Sequence, residues 1–90
     1  MAKAIVDPSE LRRFAQELKK FSVDLQQQTA ILNARMSTLA QTWRDQEQAK
    51  FADEFENTVR TLQRFISASE AHVPYLLRKA DAADAYLNQR

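Results

Sequence analysis

The sequence predicts an all-α fold: an antiparallel helical hairpin of two long helices, dimerising into a four-helix bundle. Three observations lead there. The 90 residues include no glycine, and prolines occur only at positions 8 and 74; strands and tight turns need residues at positive φ, so such a chain favours long helices with few turns. Two long runs carry apolar residues at alternating spacings of three and four, the mark of a helix with one buried stripe. Between them lies a short polar break, Trp43-Arg44-Asp45, where the seven-residue repeat loses its phase. The expected organisation is one domain over 1–90: helix one at about 8–41, a turn at about 42–46, and helix two at about 46–88 with a kink near Pro74.

Helix one opens with Asp7-Pro8-Ser9-Glu10. Asp7 can cap the first amides, Pro8 suits the first helical position, and Glu10 stands where a capping-box carboxylate bonds back. Leucine then recurs every seventh residue at Leu11, Leu18, Leu25, Leu32 and Leu39. Phe14 and Phe21 fill the companion positions of the seam. That column turns polar at Gln28, Arg35 and Thr42, while Ile31, Met36 and Trp43 take over on the flanks. The stripe is thus expected to drift around a helix that keeps near 3.6 residues per turn.

The turn offers no Gly or Asn as a left-handed cap. Asp45 is the residue most tolerant of an unusual backbone conformation, and Asp45-Gln46-Glu47-Gln48 has a cap-x-x-Gln pattern for the next helix. Helix two carries Ala52, Phe55, Val59, Leu62, Ile66, Ser69, Val73, Leu76, Ala80, Ala83 and Leu87 in unbroken three-four steps. A third column, Phe51, Thr58, Phe65, His72, Lys79 and Tyr86, runs beside them and is half aromatic. Two apolar columns in seven suffice for a two-stranded coil, so a third implies burial in a wider bundle. The repeat passes through Pro74 in phase, which favours a kinked helix over a stop despite a cost of ~3 kcal/mol for an interior proline.

Bulk composition narrows the function classes. Thirteen Lys/Arg against twelve Asp/Glu leave a formal charge of +1, without the basic excess that nucleic-acid binding demands. With no cysteine there is no disulfide or thiolate chemistry. The N-terminal Met1-Ala2-Lys3-Ala4-Ile5-Val6-Asp7 lacks the apolar stretch of a signal peptide, and no segment approaches the ~20 apolar residues of a membrane span. The expectation is a cytoplasmic protein, or one exported without a cleaved leader, with no stable membrane insertion. A chain this short buries only about 60–65% of its unfolded surface, which makes oligomerisation a natural source of stability.

No catalytic, cofactor or metal site is expected. His72 is the only histidine, so no metal pair at helical spacing exists, and its plain reading is a helix-flank side chain partly covered by the bundle. Asp81 and Asp84, or Asp53, Glu54 and Glu56, read as solvated helix faces. A chain without glycine forms no phosphate loop, and no Ser-His-Asp set is recognisable. Arg12-Arg13 and Lys19-Lys20 repeat at seven residues as a basic stripe on the outer face of helix one, with Glu10, Glu17 and Asp24 along an adjacent edge. Such mixed charge serves solubility and pairing choice. Trp43 either closes the end of the core or stands as an anchor for a partner.

On Leu39, Trp43, Ala49, Phe51 and Phe55 the chain resembles the WXG family of small helical-hairpin proteins associated with type VII secretion. The resemblance implies a dimer that is an exported substrate, or a partner of another small helical protein or a secretion ATPase, with no catalysis. Two positions depart from the family's pattern. Asp45 stands where the family has glycine. The family's export signal, Tyr followed four residues later by Asp or Glu, is missing, because Tyr75 is followed by Lys79 and Tyr86 by Arg90.

Overall fold

The computed structural model describes residues 6–88. Expectations placed on residues 1–5, 89 and 90, Arg90 of the Tyr86 spacing among them, lie outside these. Two helices account for almost all of the described chain: α1, Pro8–Leu39, and α2, Gln46–Asn88. They pack antiparallel into a rod of 70 × 20 × 14 Å.

Local chemistry sets the ends. Asp7 Oδ1 accepts the Ser9 N–H at 2.9 Å, and Pro8 occupies the first turn, where a missing N–H costs nothing. Glu10 does not complete a capping box; its carboxylate takes Arg13 at 3.0 Å. Helix α1 stops at Leu39, two residues short of the expected 41, because its last carbonyls turn to tighter bonds. Gln41 N–H donates to Thr38 and Thr42 N–H to Leu39, each at 3.1 Å, and Trp43 N–H shares the Leu39 carbonyl at 3.1 Å. Ala40 caps in right-handed geometry, φ −63° and ψ −17°. The unusual backbone expected at Asp45 is therefore corrected: no described residue has positive φ. Tightened turns satisfy the orphan carbonyls, and a glycine-free chain needs no left-handed residue here. Helix α2 runs unbroken through Pro74.

The seam between the helices differs from the expected one on α1. Its buried column is Pro8, Ala15, Ser22 and Thr29, continuing through half-buried Met36 and Trp43. The leucines at 11, 18 and 25 form the second column and are half-buried. The stripe drifts toward the turn as expected, since Leu32 and Leu39 are exposed while Met36, Ala40 and Trp43 are half-buried, and small residues hide one of its columns in the first half. On α2 the buried residues are Val59, Ile66, Ser69 and Ala80, with Phe55, Leu62, Val73 and Leu76 half-buried beside them. As core of the hairpin itself, Phe14, Phe21, Leu32, Leu39, Phe51 and Phe65 are corrected, since all six are exposed. Side chains as small as Ala15, Ser22, Ser69 and Ala80 let the two helices approach closely. Large rings at positions 14 and 21 have no room between them.

The Ser22 hydroxyl is buried without a hydrogen-bond partner. Thr29, one heptad later, returns its hydroxyl to the Leu25 carbonyl at 2.7 Å. A buried, unpaired hydroxyl is a standing cost. Ser22→Ala is expected to raise stability by up to ~1 kcal/mol, read from urea unfolding. Ala15→Leu overfills the seam and is expected to lower it by about 1–3 kcal/mol. Phe14→Ala, one residue away, is expected to leave the isolated hairpin within about 0.5 kcal/mol of wild type, as an exposed position does. If Phe14→Ala costs more than Ala15→Leu, the seam is misplaced.

Candidate interaction surface

A helix with two seam columns has a third column adjoining each of them, so a hairpin has two long faces. One face here is apolar. From α1 it takes the outer flank of the leucines together with Phe14 and Phe21, which are 54% and 53% exposed; from α2 it takes Phe51, Phe65 and Tyr86. Phe21 and Phe65 meet edge to face across the seam, ring centroids 6.0 Å apart and planes at 88°. That contact ties both helices into one continuous surface. Leu32, Leu39 and Tyr75 are also exposed.

The other face is mixed, with an apolar hollow of about 180 Å³ at Val23, Val73 and Pro74 beside more polar stretches. A trough of about 470 Å³ runs along it between Gln26, Asn33, Gln63, Ser67 and Glu70. Toward the turn a second hollow of about 490 Å³ continues between Ser37, Glu56 and Arg60. The two faces thus differ in chemistry along the same rod. One mixes amides and charges with smaller apolar side chains, and the other presents rings.

Both ends are fastened. At the open end Arg12 is half-buried, not on the outer face expected for the basic stripe, and reaches across to Asp81 at 2.8 Å and Asp84 at 2.6 Å. Hydrogen bonds to Asp81 first, then Asp84, raise the guanidinium above its ordinary pKa. Lys20 is raised likewise by its bond to Asp24. Both shifts are upward on cations. On the cation side, what these pairs contribute is present below each group's ordinary pKa and fades as pH climbs through the raised one. Asp81 and Asp84 are clamp residues, which the spacing of α2 alone did not reveal.

At the turn, Trp43 is half-buried and lies 5.8 Å from Phe51, whose ring stacks on Phe55 at 6.0 Å. These three rings close the end of the seam. Arg44 is exposed, and Asp45 Oδ1 accepts the Gln48 N–H at 2.9 Å, capping α2. Among the described residues no group of three His, Cys, Asp or Glu side chains is placed to hold a metal ion, and no helix is long and apolar enough to cross a membrane.

The family profile described as "WXG100: Proteins of 100 residues with WXG" matches residues 4–86. The chain belongs to the WXG100 family. Its fold is similar to that of the secreted protein EsxB from Bacillus anthracis str. Sterne, with a TM-score of 0.78 and 31% identity over 98% of this chain and 100% of that one. A glycine-to-alanine mutant of EsxB gives 0.77 and 32% over 91% and 94%, and a glutamate-to-glutamine mutant 0.75 and 29% over 100% and 99%. No curated protein matches the sequence. This WXG100 chain shares the family's helical hairpin and carries aspartate where the family's turn motif has glycine.

That aspartate has a measurable job. Asp45→Ala removes the cap and is expected to cost about 0.5–2 kcal/mol, whereas Asp45→Gly, the family's own residue, is expected to differ from wild type by only a few tenths. Thermal unfolding of both variants checks this, and equal losses in the two would assign the effect to something other than capping.

Proposed function

We propose that this WXG100 protein is a non-catalytic interaction module that works as a homodimer, two hairpins closing face to face into a four-helix bundle. The observation that carries the reading is the apolar face itself. Phe14, Phe21, Leu32, Phe65 and Tyr75 are exposed together on a chain that offers the other face to water. Monomeric proteins rarely leave so extended an apolar patch bare. A second copy of the same face is a cover of matching length and character, and dimerisation of this kind is typical of the family.

The reading extends to export. The resemblance to secreted EsxB supports an exported substrate or effector of a type VII-like system, with a small helical protein or a secretion ATPase as further partners. A cytoplasmic helical adaptor that is never secreted is the second reading. It is favoured by Lys79 and Arg90 standing where the family's export signal has an acid. Detection in culture supernatant, lost when the membrane-bound secretion ATPase is deleted, separates the two.

Self-association is the direct test. Light scattering at micromolar concentration is expected to give twice the mass of the 10.4 kDa chain. Phe21→Asp and Phe65→Asp, at exposed positions, are expected to give monomers that keep their helical circular dichroism. Leu62→Asp, half-buried in the seam, is expected to lose dimer and helix together, because it buries an unpaired charge. A monomeric wild type, or a Phe21→Asp dimer of unchanged affinity, would sink the reading.

A further inference from the structure

Pro74 marks a weak joint in α2. Proline has no N–H, so the Glu70 carbonyl loses the helical donor it would find four residues on. Packing between the helices is incomplete at the same level. A hollow of about 180 Å³ lies between Lys19, Ser22 and Val23 of α1 and Glu70, Val73 and Pro74 of α2. Ser22, one of the residues around it, keeps a buried hydroxyl without a partner. A missing main-chain bond, a gap and an unsatisfied hydroxyl thus coincide along the rod.

The two sides of that joint are held differently. Before it, α2 has Phe55, Val59, Leu62, Ile66 and Val73 buried or half-buried. Beyond it, over residues 75–88, only Leu76, Ala80, Ala83 and Asp84 are. Two of those four are alanines, which bury little apolar area, and one is charged. What fastens this stretch is Arg12. Its guanidinium reaches Asp81 at 2.8 Å and Asp84 at 2.6 Å. Among the described residues these are the ion pairs that cross between the helices; the others join neighbours on one helix.

We infer that residues 75–88 form a latched arm, which opens from α1 about Pro74 as a unit while 46–73 stays packed, and that Arg12 is its latch. Released from α1, an arm of this length falls within the ~12–15 residues below which an isolated helix is marginal, so opening also unwinds it. The start of α1 is then uncovered at Leu11 and Ala15, and the turn with its three rings stays in place. Arg12 stands one heptad from Lys19, Asp84 two heptads from Glu70, and Asp81 one heptad from Pro74, so latch and joint share the mixed face. A second copy seated on the rings leaves them accessible, and the inference does not rest on the homodimer. Part-exposed ion pairs are screened by dissolved ions, so salt is the simplest agent to spring the latch.

Native-state hydrogen exchange on the full chain tests this, in low urea and with sodium chloride raised from about 0.05 to about 0.5 M. The amides of 75–88 are expected to exchange as a block, about tenfold or more faster than those of 50–69, with a step at Pro74. Arg12→Gln is expected to speed the block about two- to fivefold and to remove its acceleration by salt. Val59→Ala, inside the packed part, is expected to speed 50–69 and leave the block at its wild-type rate, because the arm opens without unpacking that residue. Rates that fall smoothly inward from Asn88, with no step, are end fraying and overturn the inference. A block that follows Val59→Ala, or one that Arg12→Gln leaves unchanged, overturns it as well.

Discussion

The structure depends on how closely two helices can approach when the residues between them are small. Ala15 and Ala80 are fully buried, and Ser22 and Ser69 nearly so. A seam built this way buries little apolar area per turn, so its own hydrophobic return is modest at about 25 cal/mol per Å². It gains instead from close backbone approach, and the geometry leaves the bulky columns outside. The exposed rings at 14, 21 and 65 are a consequence of the alanines and serines beside them. Phe21 and Phe65 meet beside that seam, edge to face at 6.0 Å.

The same economy explains the turn. A hairpin usually reverses through a residue at positive φ, supplied by glycine. Here the last carbonyls of α1 are taken by amides three residues on, and the chain leaves the helix with ordinary backbone angles. Asp45 then starts α2 by capping it. Where the family places a residue chosen for freedom of backbone, this chain places one chosen for a hydrogen bond. Both solve the same problem, satisfying helix ends within a few residues. The rings of Trp43, Phe51 and Phe55 then hold the reversed chain against the seam.

Much of this was legible in the residues. The absence of glycine, the sevens of leucine and the phase break at Trp43 point to a hairpin without any structure, and the excess column on helix two points to a surface left to cover. The seam of α1 was not legible, for a physical reason. Its column reads Pro8, Ala15, Ser22, Thr29, Met36 and Trp43, and in its first half no residue is strongly apolar. Hydrophobic periodicity finds what is greasy, whereas close packing selects what is small. Phe14 and Phe21 drew the pattern toward themselves, one position off. The spacing that identifies the true column was present, but only size exposes it. Arg12 was hidden likewise, since its partners lie at the far end of the chain, where sequence distance says nothing until the hairpin is closed.

That one-position shift bears on what separates this chain from its relatives. Tyr75 is exposed and lines a groove on the apolar face, and Lys79, four residues on, falls on the column that carries Phe65 and His72. On a helix a spacing of four moves a residue to the neighbouring column. Lys79 therefore stands on the apolar face, four residues after Tyr75, where a tyrosine-plus-acid spacing would need a carboxylate. Lysine keeps the face free of carboxylates along both outer columns. Beyond Thr58 that column of α2 therefore carries only aromatic and basic side chains, Phe65, His72, Lys79 and Tyr86.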